Sequence, residues 1–559
     1  MSSFSPYAKL DEAEQARLEA RRKTRKRIAI ISLSSIILVG VVVATVLGTA
    51  SNRSDAKKAG VDHQPLASSI KAMCDVTLYQ DSCQRTLSSL DNSKEIQPAA
   101  VFKLAVQSAM AELSNAAQHL SESGILDGIH ENMTAKALEN CHELLSLAAD
   151  HLNGTLSAGS KSLFQVMDDL KTWLSSAGTY QETCLEAFES AKPTELTSNS
   201  LAITKWISEV FGSVKLRRLM SFPEQHHDQE PEWLHPKDRK LLQSLADLRK
   251  IANIVVAKNG SSKYKTITAA LKDVPEKSNK RFVIYVKRGV YYEKVQVDKE
   301  KWNVVMVGDG MTSTIVSGSL NFVDGAPTFS TATFAVFGKG FIARDMGFRN
   351  NAGAIKHQAV ALMSNSDLSS FYRCHIDAFQ DTLYAHANRQ FYRECNIYGT
   401  VDFIFGNSAV VLQNCNIFAK VPMPGQQNTI TAQGKIDPNQ NTGITIQDCT
   451  ISPFGDLKSV QTYLGRPWKN YSTTVFLRNN LGNLIDPNGW LPWTGTSAPS
   501  TIFYSEYQNY GPSSYTRNRV KWKGLRTINN QIASKFTVGS FIQGNYWIEA
   551  AGVPYKYGL

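Results

Sequence analysis

Two aspartates in this 559-residue chain recur in matched settings. Phe371-Tyr-Arg-Cys374 leads to Asp381, and Phe391-Tyr-Arg-Glu-Cys395 leads to Asp402. Each aspartate lies seven residues after its cysteine, and the two units are 21 residues apart. Gln358 precedes Gln380 by 22 residues, so a single repeat register gathers Gln358, Gln380, Asp381 and Asp402. If the repeats stack as turns of a solenoid, the aspartates sit on neighbouring turns, roughly 5 Å apart by strand spacing. Two carboxylates that close cannot both ionise cheaply, the less so with Asp402 inside the apolar run Val401-Asp-Phe-Ile-Phe405. One stays protonated and acts as an acid while the other attacks or accepts a proton.

Two chemistries use such a pair. A glycosidase needs one carboxyl as acid and one as nucleophile or base. An ester hydrolase can use Asp402 as nucleophile and Asp381 to protonate the oxyanion or the leaving alcohol. The glutamines favour the ester, because a tetrahedral intermediate needs neutral N–H donors at its oxyanion. Leu464-Gly-Arg-Pro-Trp468 adds a guanidinium that can fork to a carboxylate and an indole that can stack on a sugar. Arg466 can also orient an ionised Asp402. The histidines carry none of this. His386 lies near Asp381, but no G-x-S-x-G elbow completes a triad, and His357 and His375 read as structural. No phosphate loop points to nucleotide chemistry, and no cysteine or histidine spacing points to a metal site.

The elements that must position these residues are short strands. After Ile251, β-rich runs alternate with Gly, Asn and Asp, as in Arg281–Val286, Gln358–Met363, Phe391–Tyr398 and Ala409–Phe418. Cys374, Cys395, Cys415 and Cys449 follow one another at 21, 20 and 34 residues, the last spacing being a turn with an insertion. About twenty residues per turn suits three short strands and their bends, which predicts a parallel β-helix rather than an antiparallel sandwich. From Gln243 onward the chain carries 34 Lys/Arg against 20 Asp/Glu, so this portion is basic and suits a polyanion. An acidic polysaccharide fits the export signals below better than nucleic acid does.

Residues 68–211 read as an antiparallel helical bundle, with apolar residues at three- and four-residue intervals and a second set of four cysteines, Cys74, Cys83, Cys141 and Cys184. Residues 212–242 lose periodicity and read as an exposed linker. Its dibasic pairs Arg217-Arg218 and Arg239-Lys240 are candidate cleavage sites for a processing protease. At the N-terminus, a basic tail (1–27) precedes an uncharged apolar run, 28–50, long enough to span a bilayer as a signal anchor. A stalk (51–67) follows. The basic flank stays cytosolic, which gives a type II orientation and places all eight cysteines where disulfides persist. Sequons at Asn52, Asn132, Asn153, Asn259 and Asn470 suit the secretory route.

Five motifs resemble plant pectin methylesterases of the pro-region-bearing type: Gly289-Val-Tyr-Tyr-Glu293, Gln358-Ala-Val-Ala-Leu362, Gln380-Asp-Thr-Leu383, Asp402-Phe-Ile-Phe-Gly406 and Leu464-Gly-Arg-Pro-Trp468. The resemblance implies a right-handed parallel β-helix over 243–559 that removes methyl groups from esterified homogalacturonan without metal or organic cofactor. It implies Asp402 as nucleophile, Asp381 as proton donor and acceptor, and Gln358 and Gln380 as oxyanion stabilisers. Thr328, Gln358, Arg466 and Trp468 become substrate contacts, and Cys395–Cys415 a disulfide, with Cys374 and Cys449 unassigned. The N-terminal bundle resembles the invertase and pectin methylesterase inhibitor domain. That implies a four-helix pro-domain with Cys74–Cys83 and Cys141–Cys184 bonds, which keeps the precursor inactive until linker cleavage. Separate inhibitor proteins are further expected partners, and the apoplast is the expected destination. The rivals are a β-helix polygalacturonase or lyase, and a non-catalytic inhibitor acting through the bundle alone.

Overall fold

The computed structural model describes residues 80–81, 107, 110–111, 132–157, 163–187 and 249–559. The expected anchor at 28–50, the Cys74–Cys83 bond and the dibasic sites of the linker lie outside the described residues. Among those described, no helix is long and apolar enough to cross a membrane. The chain divides into two units, Met1–Phe222 and Pro223–Leu559.

In the first unit two long helices, Asn132–Ser157 and Leu163–Ala187, pack antiparallel. Their shared seam buries Leu144, Ala148 and Leu152 of one against Leu170, Leu174, Ala177 and Tyr180 of the other. A Cys141–Cys184 disulfide staples them, as the resemblance implied. The second helix carries hydroxyl residues on its buried side. Thr172, Ser176 and Thr179 stay satisfied there because each donates to the carbonyl four residues back. Residues 80–81, 107 and 110–111 are also helical, and the rest of the expected four-helix bundle lies outside the described residues.

The second unit is a parallel β-helix. Its strands form three parallel sheets of ten, eight and seven strands, and each full turn contributes one strand to each sheet. The register follows the repeat read from the sequence. His375 pairs with Asn396, Asn396 with Asn416 and Asn416 with Thr450, at offsets of 21, 20 and 34 residues. Identical alignment on every turn stacks like on like inside the coil. Ile376, Ile397, Ile417, Ile451 and Leu481 form one buried column, and Phe371 stacks on Tyr392 with ring centroids 4.7 Å apart.

The corners are tight enough to need left-handed backbone. Between the ten- and eight-stranded sheets one residue per turn takes positive φ: Asp345, Arg373, Glu394, Asn414, Asp448, Arg478 and Gln508. The residue after four of these is a cysteine, so Cys374, Cys395, Cys415 and Cys449 line up inside the coil. All four are buried free thiols, which corrects the expected Cys395–Cys415 bond. The column explains the difference: the Cys395 thiol touches both Cys374 and Cys415, and Cys415 also reaches Cys449, so equivalent stacking singles out no one pair. Burial pushes the Cys395 and Cys449 thiols well up.

The coil is closed at its start by the short helix Ile267–Lys272, N-capped by Thr266. Glu293, the acid of the Gly289–Glu293 motif, completes this cap. Its carboxylate accepts from the Ile267 and Thr268 N–H groups, both at 2.9 Å. That motif residue is therefore architectural. At the far end of the chain, Val538, Ile542, Trp547 and Ile548 lie against Val283, Val305, Ile342, Phe391 and Val411, covering the outer face of the ten-stranded sheet.

Candidate active site

Asp381 and Asp402 occupy equivalent places at the corner where the eight-stranded sheet gives way to the seven-stranded one. The strands that follow them, Leu383–Ala385 and Ile404–Gly406, pair Leu383 with Ile404, so the aspartates stack one turn apart. Both have left-handed backbone, φ 61° and 51°. Aspartate tolerates that region better than most residues do. Both aspartates are buried, at 8% and 4% exposure. Gly406 ends the second strand with φ 124°; a Cβ there would meet the Ala385 carbonyl at 2.1 Å, so this motif glycine allows the two turns to approach.

The two carboxyls have different partners. Arg466 forks onto Asp402, with Nε donating to Oδ1 at 2.8 Å and Nη2 to Oδ2 at 2.6 Å. Burial alone would lower the Arg466 pKa, but the hydrogen bond and charge of Asp402 outweigh it and raise it. Asp381 has no such fork. Burial pushes its pKa well above the ordinary value, and the neighbouring Asp402 charge pushes it further, against a smaller opposing pull from Arg466. The site therefore holds an Arg466-paired Asp402 beside an Asp381 carboxyl that binds its proton more tightly than an ordinary aspartate.

Gln358 and Gln380, both half-buried, bridge as parallel neighbours on adjacent turns, directly before this corner. The Gln380 Oε1 atom is buried without a hydrogen-bond partner. Thr328 opens a short 3-10 turn, Thr328–Thr331, and Thr331 at its end accepts from the Val360 N–H, two residues beyond Gln358. Trp468 is half-buried, and a Cβ at Gly434 would meet its ring at 2.8 Å, so the indole packs directly against that glycine. Four of the expected residues, Asp381, Asp402, Gln358 and Gln380, share one corner, and Arg466 is bonded into it. Thr328 and Trp468 lie at its flanks.

Two residues escaped the sequence reading. Thr429 accepts from the Asp402 N–H at 2.8 Å and donates its hydroxyl hydrogen to Asp402 Oδ1 at 2.6 Å, so it clamps backbone and carboxylate together. Its offset of 27 residues from Asp402 spans the insertion that lengthens this turn, which removes it from the visible period. Trp493, 37% exposed, lies under the Arg466 guanidinium at 4.3 Å and beside Trp468, ring centroids 6.3 Å apart. No spacing signal marks it. His386 is excluded as a base: it is fully buried against Phe329 and Tyr384, hydrogen-bonded to Asn365, and its pKa is pushed down to about 3 by burial. Of the sequons, Asn153, Asn259 and Asn470 are exposed, and Asn132 begins a helix.

Comparison with known proteins points to one family for each part of the chain. Residues 253–545 match the family model for pectinesterase, and residues 68–203 match that for plant invertase/pectin methylesterase inhibitor. A putative pectinesterase/pectinesterase inhibitor 24 of Arabidopsis thaliana is 55% identical over 99% of this chain and all of its own. Pectinesterase 3 of Phaseolus vulgaris is 47% identical over the whole of both chains. Among solved structures, the pectin methylesterase from carrot is 53% identical and superposes with a TM-score of 0.54, covering 55% of this chain and 98% of its own.

Proposed function

Because the chain belongs to the pectinesterase family, and carries an inhibitor-family domain before its β-helix, we propose that it hydrolyses the methyl esters of polygalacturonate with Asp402 as nucleophile and Asp381 as acid and then base. The observation that carries this division of labour is the asymmetry of the pair: Arg466 grips Asp402 through both oxygens, while Asp381 is buried without such a partner and its pKa is raised.

Asp402 Oδ attacks the C6 carbonyl of a methyl galacturonate, and the carbonyl π electrons move to oxygen. The Gln358 and Gln380 side-chain N–H groups stabilise that oxyanion. Collapse expels methoxide, which takes the Asp381 proton and leaves as methanol. The product is an anhydride joining Asp402 to the substrate acyl group. Water then attacks it while Asp381, now a carboxylate, takes the water proton, and the Asp402 carboxylate is released with a galacturonic acid. Arg466 and Thr429 hold Asp402 in one attacking orientation throughout. Trp468 and Trp493 offer apolar ring faces to the sugars, and Thr328 borders a further subsite.

The inhibitor-type domain acts in this reading on its own enzyme until the linker is cut at 217–218 or 239–240, and the mature enzyme works in the cell wall. The basic charge from Gln243 onward suits a substrate that becomes more anionic with each turnover.

Incubation with methyl-esterified polygalacturonate tests the reaction class. The expected outcome is methanol release with no new reducing ends and no unsaturated ends. Chain cleavage without methanol would replace the esterase by a glycosidase or lyase.

A further inference from the structure

Away from the carboxylate pair, the first turns of the β-helix build a second concave site. It lies at the corner between the ten- and eight-stranded sheets, about three turns from the aspartates, or roughly 15 Å along the axis at the usual strand spacing. A cavity of about 490 Å³ opens there, lined by Lys258, Asn259, Lys287, Arg288, Gly289 and Asp309. That volume is in the range that accommodates a small ligand or a sugar unit.

Its charges are unevenly matched. Asp309 is fully engaged within the fold: it accepts from Arg249 at 3.0 Å, from the Tyr285 hydroxyl at 2.8 Å and from the Arg288 N–H at 2.6 Å. The three cations facing the cavity have no comparable acid. Lys258 Nζ donates to the Val290 carbonyl at 2.8 Å and Lys287 Nζ to the Ser261 hydroxyl at 3.2 Å, both neutral oxygens, and the Arg288 side chain is exposed. Beside them stands Tyr292, 68% exposed, with the Lys258 ammonium 5.3 Å from its ring centroid. An exposed aromatic face next to uncompensated cations is the pairing that recognises an acidic sugar, whose ring stacks while its carboxylate is neutralised.

We propose that this cradle is a secondary docking site for a de-esterified stretch of polygalacturonate, holding the enzyme on the acidic polymer while the carboxylate pair works elsewhere along it. The choice of a polyuronate as occupant rests on the esterase reading above, whose product it is. The cradle binds product rather than ester, because a methylated carboxyl carries no charge for the three cations to meet. Retention should therefore rise as a chain loses its methyl groups.

The test compares the full chain with its Lys258→Ala/Lys287→Ala/Arg288→Ala variant on immobilised polygalacturonate and on fully methylated pectin. The variant should bind polygalacturonate about tenfold more weakly at low salt, the scale that three exposed ion pairs supply together. Its methanol release from a short methylated oligomer should match wild type, which also shows that it is folded. Unchanged retention, or an equal loss on methylated pectin, would overturn the proposal. Asn259→Gln removes the sequon at the cavity rim; a rise in retention on that change would mean that a glycan occupies the cradle instead. An Asp402→Ala protein should keep wild-type retention, so loss of docking and failure of the esterase mechanism are read separately.

Discussion

Arg466 and Asp402, 64 residues apart in sequence, meet through two parallel hydrogen bonds of 2.8 and 2.6 Å. The fork uses both carboxylate oxygens, so it sets the plane of the Asp402 carboxylate as well as placing a cation against it. Asp381, one turn away, lacks any such partner, and in the proposed reaction that difference divides the work between two otherwise equivalent side chains.

Arg466→Lys keeps a cation but loses the fork. Methanol release should fall by about 100-fold, the scale of a misplaced reacting group. Arg466→Ala should fall at least as far. Steady-state kinetics on esterified pectin measure both, and a lysine variant with wild-type kcat would show that charge alone suffices.

Thr429 positions Asp402 through its hydroxyl, which both accepts from the backbone N–H and donates to Oδ1. Thr429→Val preserves shape and removes both bonds, so kcat should drop about tenfold or more, as for hydrogen bonds to a charged group. Thr429→Ser retains the hydroxyl and should restore most of the rate. Equal loss in both variants would mean that the methyl packing matters rather than the hydroxyl.

Asp381 binds its proton more tightly in the folded protein than in the unfolded chain, because burial and the Asp402 charge raise its pKa. Between the ordinary carboxyl value of about 4 and that raised value, the native state holds more protons, so stability declines as pH rises through this window. Asp381→Asn removes the titration. Calorimetry from pH 4 to pH 8 should therefore show the variant gaining in Tm relative to wild type as pH rises. Parallel curves would contradict the raised pKa.

Glu293→Ala removes the carboxylate that accepts from the first-turn N–H groups of Ile267–Lys272. The expected loss is about 1 kcal/mol of stability, with kcat unchanged. Thermal unfolding and methanol assays on the same preparation separate the two effects; a lowered kcat at full stability would place Glu293 in the chemistry.

Much of this molecule was legible in its sequence because a β-helix writes its geometry as a period. The cysteine spacing of 21, 20 and 34 residues reappears unchanged as strand register, and the Gln358, Gln380, Asp381 and Asp402 register becomes one corner. Where the period breaks, legibility stops. Thr429 sits beyond an insertion, and Trp493 lies in an irregular segment after the coil has lengthened. The cysteines show a further limit: spacing places them in one column but does not choose which neighbours bond, and all four are free thiols. The Gly289–Glu293 motif, close to the rest in family resemblance, serves the helix cap rather than the reaction. Basic composition was readable too, yet its concentration around Lys258, Lys287 and Arg288 depends on a corner that brings separate strands together.

The proposed reaction depends on Asp402 as the attacking group. Methanol release from methyl-esterified polygalacturonate by wild type and by Asp402→Ala, with folding of the variant confirmed by circular dichroism, tests it most directly. The folded variant should lose essentially all activity. A folded Asp402→Ala protein releasing methanol at the wild-type rate would contradict it.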